Sequence, residues 1–534
     1  MRLSGTRVAA VQFSIGTDPS ANLATCVRMV EQAAARGARV VVLPAFLNHP
    51  EYHPDRASAR AAACAPEGTF LLGLAAAAAR HEIYLKAHVT VEDGDHIRAV
   101  DLLFDPSGNV VARGNTRLFD GSERRWLDPG TQPAPVVDTD IGRLGMISAG
   151  DVGNAEFARQ LALEQAQILL VSLATVSTDA TRLHSPVRAA ENKIWAVVAN
   201  TVGERLGAEA HGVPPEWMRG VGESRVIRPD GTAEVVGDTE EQIVIADIEP
   251  RWADNKTRPD GGDLFRARRP RIYAPETARP AGSTRTPAAR ATVVVARPRT
   301  NGMSAIDEAA SYVRTAAAEG ADLVVLPELF FYPQGRADGS FVDGIAVDML
   351  IQALDGTRCH VVTSLPDDAA HVGILIGADG VRGRQLQLHS SARHVSWQGA
   401  LGDRLVPFDL EWGRLTIIVG DDALYPEVFR LAVLHDTDVV AVPSSFLEPW
   451  ELTLGLPERV AADRLTVVAS GQTGGLVAVP AVDPVLHGGR ASFDGSLAAP
   501  FVTPLGGKTR TVTASVYPER SRMTFEAPWE SAAV

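Results

Sequence analysis

The chain repeats itself, and no other feature of it constrains the fold as much. GARVVVLPAFLNHP from Gly37 matches GADLVVLPELFFYP from Gly320. GRLGMISAGDVGNAEFAR from Gly142 matches GRLTIIVGDDALYPEVFR from Gly413, and PVRAAENKIWAVVA from Pro186 matches PERVAADRLTVVAS from Pro457. Self-similarity kept in this order predicts two copies of one domain. Length agrees, because 534 residues exceed one ordinary domain of about 100–200 residues. Between the copies, APETARPAGSTRTPAAR loses all apolar periodicity and reads as a linker over 274–290. The domains are therefore expected at 1–273 and 291–534.

Within each copy, short β-branched runs alternate with alanine-rich amphipathic stretches, the pattern of an α/β fold. In the first copy RVAAVQF reads as a strand, 21–35 as a helix, ARVVVLP as a strand, 69–80 as a helix and IYLKAHVTV as a strand. DLLFDPSGNVVARG places Pro-Ser-Gly-Asn between two alternating apolar runs and predicts a hairpin. A unit that mixes crossover helices with a hairpin disfavours a purely parallel, doubly wound sheet.

Charge excludes some functions. Lys+Arg 51 against Asp+Glu 65 leaves a net charge of −14, which argues against tracking nucleic acid phosphates. No stretch reaches the ~18 apolar residues of a membrane span, so a membrane partner is not expected. Cys26, Cys64 and Cys359 are too few and scattered for a disulfide framework and lack metal-ligand spacing, which fits a cytoplasmic chain.

These segments together resemble the nitrilase, or carbon–nitrogen hydrolase, superfamily. The resemblance rests on the LPA and LPEL strand ends, GNVVARGNTRLF, SERRWLDPG, GRLGMISAGD, AEFAR and PEVFR, RAAENKIWAVVANTVG, and ADIEP with RARRPRIY. It implies two tandem four-layer α-β-β-α sandwich domains, paired as an intramolecular pseudo-dimer. It also implies a thiolate that attacks an amide or nitrile carbon, a glutamate that handles its proton and a lysine that stabilises the tetrahedral intermediate.

Carried over position by position, that triad is degenerate in both copies. The glutamate position holds Ala45 in the first copy and Glu328 in the second; the lysine position holds Asn115 and Gln387; the cysteine position holds Ala149 and Gly420. Loss of a nucleophile costs on the order of 10⁶ in turnover. Thiol-dependent hydrolysis is therefore not expected. Ser148 precedes the vacated position by one residue and should face the opposite side of its strand. The chain has only four lysines, of which Lys86 would reach a pocket or snorkel at an edge.

Four acidic residues remain as ligand-binding candidates. Glu123 matches a pocket-lining glutamate of the family, and Glu328 reads either as a buried relic with a raised pKa or as a ligand anchor. Asp421 and Asp422 adjoin the vacated cysteine position. His49, Glu51 and His53 lie in HPEYHP, where the prolines favour a rigid surface loop over a metal site; no metal and no cofactor is expected.

These readings point to a non-hydrolytic pseudoenzyme that binds a small amide, nitrile or carboxylate, or that accompanies an active nitrilase-like partner. The alternative is an enzyme that acts on a carbon–nitrogen bond by a non-cysteine mechanism.

Overall fold

The computed structural model describes residues 5–119, 122–131, 133–207, 214–274, 286–333, 343–481 and 495–519. The chain divides into two compact units. In the first, one six-stranded sheet runs in the order Gln242–Ile248, Thr6–Gln12, Val40–Val42, Tyr84–Asp93, His96–Phe104 and Val110–Asn115. A second runs Ala233–Val236, Arg225–Ile227, Trp195–Ala199, Ile168–Ser172, Gly142–Ser148 and Val137–Thr139. The three central strands of each sheet are parallel and the flanking strands antiparallel.

Local chemistry explains this mixture. The helix Pro19–Ala35 crosses between the parallel strands Thr6–Gln12 and Val40–Val42, with Asp18 capping Ser20 N–H at 2.8 Å and Pro19 in the first turn. The predicted hairpin forms at Asp105, whose carboxylate accepts from Ser107 N and Asn109 N, while Gly108 supplies a φ of 84°.

The second unit repeats the plan. Its sheets run Gly380–Leu386, Ala370–Gly377, His360–Asp367, Leu323–Glu328, Ala291–Ala296, Thr511–Val516, and Pro407–Leu410, Gly413–Ile417, Val439–Ser444, Thr466–Gly471, Gly475–Val479, Phe501–Leu505. Period-2 alternation makes the layers. Val293, Val295, Leu323 and Val325 point inward against Ile417, Val439 and Val468 of the facing sheet. Their neighbours Val294, Ala296, Val324 and Leu326 point outward against Ile306, Ala309 and Val313 of the helix Gly302–Ala318. Each fully buried valine or leucine contributes about 1.5–3 kcal/mol. The result is the α-β-β-α sandwich in each unit. Among the described residues no helix is long and apolar enough to cross a membrane.

The boundary expected at 273 is corrected. Residues from Thr257 pack with the second unit, because Arg258 pairs with Asp421 and Glu451, Arg268 with Glu427, and Arg269 donates to Leu388 O at 2.6 Å. Likewise, 495–497 falls in the first unit, where Ser496 and Leu497 both donate to Asp179. Most of the linker expected at 274–290, from 275 to 285, lies outside the described residues.

Candidate functional site

In each unit the strand that should present the nucleophile is followed by a left-handed residue. Ala149 has φ 50° and Gly420 φ 54°, and each opens a short 3-10 turn, Ala149–Gly153 and Gly420–Leu424. This kink re-aims the turn residue away from the strand's alternation.

In the second unit the three triad positions converge. A Cβ built on Gly420 would lie 2.5 Å from Glu328 Oε2 and 3.3 Å from Gln387 Nε2. Glu328 is fully buried, and Arg393 Nη1 donates to its Oε1. The Arg393 Nη2 reaches Asp421 Oδ1 at 3.0 Å, and Arg258 approaches the same oxygen at 3.3 Å. Two guanidinium groups thus stand where the carboxylates converge. Burial alone would raise the Glu328 carboxyl, but Arg393 and the adjacent His394 and His371 bring it below the ordinary glutamate range, correcting the expectation of a raised pKa. Asp421 is lowered in the same way, by Arg393 and Arg258 against its burial.

Asp422 is not free for a ligand. It accepts from Leu388 N, His389 N and His389 Nδ1, each at 2.8 Å. Asp151 repeats the arrangement, accepting from Leu118 N at 2.8 Å and Arg117 N at 3.0 Å. Both aspartates tether the segment that follows the lysine-position strand.

In the first unit the glutamate and cysteine positions are apolar. Ala45 and Ala149 belong to one cluster with Phe46, Phe119, Trp126 and Leu127. Glu123 is buried in the 3-10 turn Ser122–Arg125 beside it, at the place His394 takes in the second unit: Trp126 N donates to Glu123 O as Trp397 N does to His394 O. Glu51 is engaged by Arg205 and its carbonyl accepts from Trp126 Nε1 at 2.9 Å. His53 is buried rather than on a surface loop; it stacks on His49 at 4.5 Å and is pushed down to about 4, chiefly by burial.

Strand register corrects the pairing of Asn115 with Gln387. Gln387 N donates to His371 O and its carbonyl accepts from Gly402 N; the residue with the same two bonds in the first unit is Thr116, to Ala99 O and from Gly130 N. The counterpart of Asn115 is Leu386, which is exposed. Thr116 Oγ1 instead meets His88 Nε2 at 3.0 Å, while His88 Nδ1 accepts from Phe46 N at 3.0 Å.

Ser148 faces away from the site, as strand alternation requires, and is fully buried between the sheets. Its hydroxyl donates to Asp101 Oδ1 at 2.5 Å and accepts from Lys86, which also lies 2.8 Å from Asp101. Lys86 is therefore neither a pocket residue nor a snorkelling edge residue, but fully buried on a central strand. Burial alone would raise Asp101; Lys86 and His88 hold it below the ordinary range. The second unit puts Val362, Gly373 and Val419 at the corresponding places, and a Cβ on Gly373 would lie 2.7 Å from Val419.

Both sites are tight. The cleft beside Ala45, lined by Phe46, Pro50, Glu51 and Arg205, and the one beside Gly420, lined by Asp421, Ser444, Trp450 and Glu451, each have room for about one water molecule among the described residues. The cysteines give no substitute nucleophile. All three are buried, and burial pushes the Cys64 and Cys359 thiols up to about 12.

Comparison with known proteins points to one family. Residues 7–255 match the carbon-nitrogen hydrolase family. A nitrilase of Pyrococcus abyssi is 28% identical over 50% of this chain and 98% of its own, and the human omega-amidase NIT2 is 26% identical over 52% of this chain and 100% of its own. Among solved structures, an amidase from Nesterenkonia sp. is 24% identical and covers 50% of this chain and 97% of its own, at a TM-score of 0.40. By its family match and its ordered motifs, the part of the chain from 7 to 255 belongs to the nitrilase superfamily of carbon–nitrogen hydrolases.

Proposed function

We propose that this chain is a non-hydrolytic member of its superfamily, an accessory pseudoenzyme. One observation carries the reading: where a nucleophilic side chain would stand in the second unit, Gly420 leaves space that a Cβ could share with Glu328 only at 2.5 Å. The arginine salt bridges there and the alanine-lined cluster in the first unit support it. Binding alone does not replace a nucleophile worth on the order of 10⁶ in turnover. Tight clefts favour an accessory role over capture of a small amide, nitrile or carboxylate, which would have to displace Arg393 from Glu328. The partner best suited to that role is an active nitrilase-like protein, met in the cytoplasm, where the chain's free cysteines stay reduced.

A second reading, non-cysteine catalysis, draws on the direct contact of Lys86 with Ser148, a pairing able to activate a hydroxyl. Full burial of both opposes it. The test is incubation of the purified chain with a panel of amides and nitriles while ammonia is followed. Release at the buffer background is expected. Turnover that disappears in Ser148→Ala or Glu328→Gln would replace the first reading with the second.

A further inference from the structure

The second unit gathers four buried polar atoms without a hydrogen-bond partner around Gly420: Glu328 Oε2, Gln387 Nε2 and both ring nitrogens of His394. Native interiors leave few such atoms, each costing about 1–3 kcal/mol, so four around one glycine favour an occupant there. We propose that Glu328, His371 and His394 bind one divalent transition-metal ion of the zinc type. Their ligand atoms already lie within 4.8 Å of one another, and all three side chains are buried.

Each ligand has the right chemistry. Glu328 spends Oε1 on Arg393 and keeps Oε2 for the ion. His394 has both ring nitrogens available, and its orientation is set by packing against His371 at 4.6 Å and Trp397 at 4.9 Å. His371 holds Gln387 Oε1 at 2.9 Å through Nδ1, the outer hydrogen bond that commonly fixes a ligating imidazole. A single bond from Ser364, at 2.8 Å on Nε2, is all it would exchange for the ion. Tetrahedral zinc, about 2.0–2.1 Å from each ligand, needs ligand atoms about 3.3 Å apart. The closure required is about 1.5 Å at most, within reach of side-chain rotation.

Local charge favours a cation despite the arginines. Arg258 and Arg393 together face Glu328, Asp421, Asp260, Glu448 and Glu451, so carboxylates outnumber guanidinium groups. Two imidazoles and one carboxylate select zinc or cobalt over magnesium and calcium, which prefer all-oxygen cages. A water molecule would supply the fourth ligand. An ion in this place could equally be structural, so its binding does not depend on the proposed loss of hydrolysis.

The full chain, freed of metal by a chelator, would be titrated with Zn²⁺ against a chromophoric competitor and separately with Co²⁺ followed by visible absorption. One equivalent should bind, with Co²⁺ bands of a four-coordinate imidazole-containing site, and excess Mg²⁺ should not compete. His394→Ala and Glu328→Gln should each weaken binding on the order of 100-fold, whereas His96→Ala, at an exposed histidine, should not. Should one variant fail to fold, the other and the wild-type Co²⁺ spectrum decide. Less than about a fifth of an equivalent bound, an octahedral all-oxygen Co²⁺ spectrum, or unchanged affinity in the folded variants would overturn the proposal.

Discussion

Gly420 and Glu328 are coupled by space: the carboxylate occupies the volume that any side chain at 420 would enter, with Oε2 2.5 Å from the built Cβ. Gly420→Cys should therefore not restore hydrolysis. Overpacking costs about 1–3 kcal/mol, and a side chain in the left-handed region at φ 54° adds roughly 1–2 kcal/mol. The variant should show a lower denaturation midpoint and ammonia release at background. Robust amide turnover by this single variant would mean that Glu328 and Arg393 swing aside readily, and would leave the cysteine position open to catalysis.

The two units solve one position differently, and that difference can be measured. Lys86, Asp101 and Ser148 form a buried polar triad where the second unit has Val362, Gly373 and Val419. Breaking a buried ion pair by removing one partner costs about 3–5 kcal/mol, while replacing the whole set by packed apolar residues is often neutral. Lys86→Met alone should thus destabilise the first unit by about that amount. The triple variant Lys86→Val, Asp101→Gly, Ser148→Val should recover most of the loss. Urea unfolding of the single and triple variants checks this; equal loss in both would show that the triad stabilises by more than mutual compensation.

Asp151 gives the first unit a pH dependence of definite sign. Burial pushes its carboxyl up to about 7, from an ordinary 3.8, against the opposing pull of Arg117 and the two backbone N–H groups. A folded value above the unfolded one means that the folded state holds the proton more tightly. The stabilisation is complete below about pH 4 and is lost as pH rises through about 7, by up to about 4 kcal/mol. Asp151→Asn should keep an acceptor for Arg117 N and Leu118 N and flatten the unfolding midpoint across that interval. A wild-type midpoint that rises between pH 4 and 8, with a variant that follows it, would count against this assignment.

Much of this was legible in the sequence because it depends on local periodicity. The crossover helix after Asp18, the hairpin at Asp105 and the doubling of the domain follow from capping residues, turn chemistry and repeated motifs. The convergence of Glu328, Gln387 and Gly420 followed from the resemblance. What escaped was set by register and by long-range packing. One residue of slip hid Thr116 behind Asn115, because adjacent positions on a strand face opposite sides. His371 sits in the apolar run HVGILIG with no spacing to announce it, and Arg258 reaches Asp421 from 163 residues away in sequence. The fate of Lys86 was equally hidden, since its partners Asp101 and Ser148 come from a neighbouring strand and a facing sheet.

The cysteines provide the most direct check on the missing nucleophile. A reactive thiol needs exposure and a lowered pKa, normally from an adjacent cation or a helix N-terminus. Cys26, Cys64 and Cys359 have neither advantage: all are buried, and burial is the largest influence on each, raising all three. Iodoacetamide at pH 7.5 should therefore leave the native chain unmodified over a period that fully alkylates a small-molecule thiol, and should add three groups once the chain is unfolded in guanidinium. The rate in the native state should be limited by the population of globally or locally opened molecules, so it should rise with urea, and its growth between pH 7 and 8.5 should be no steeper than that of an unfolded thiol. Fast, stoichiometric modification of one cysteine in the native chain, seen by intact mass, would reveal an exposed activated thiol and return hydrolysis to consideration.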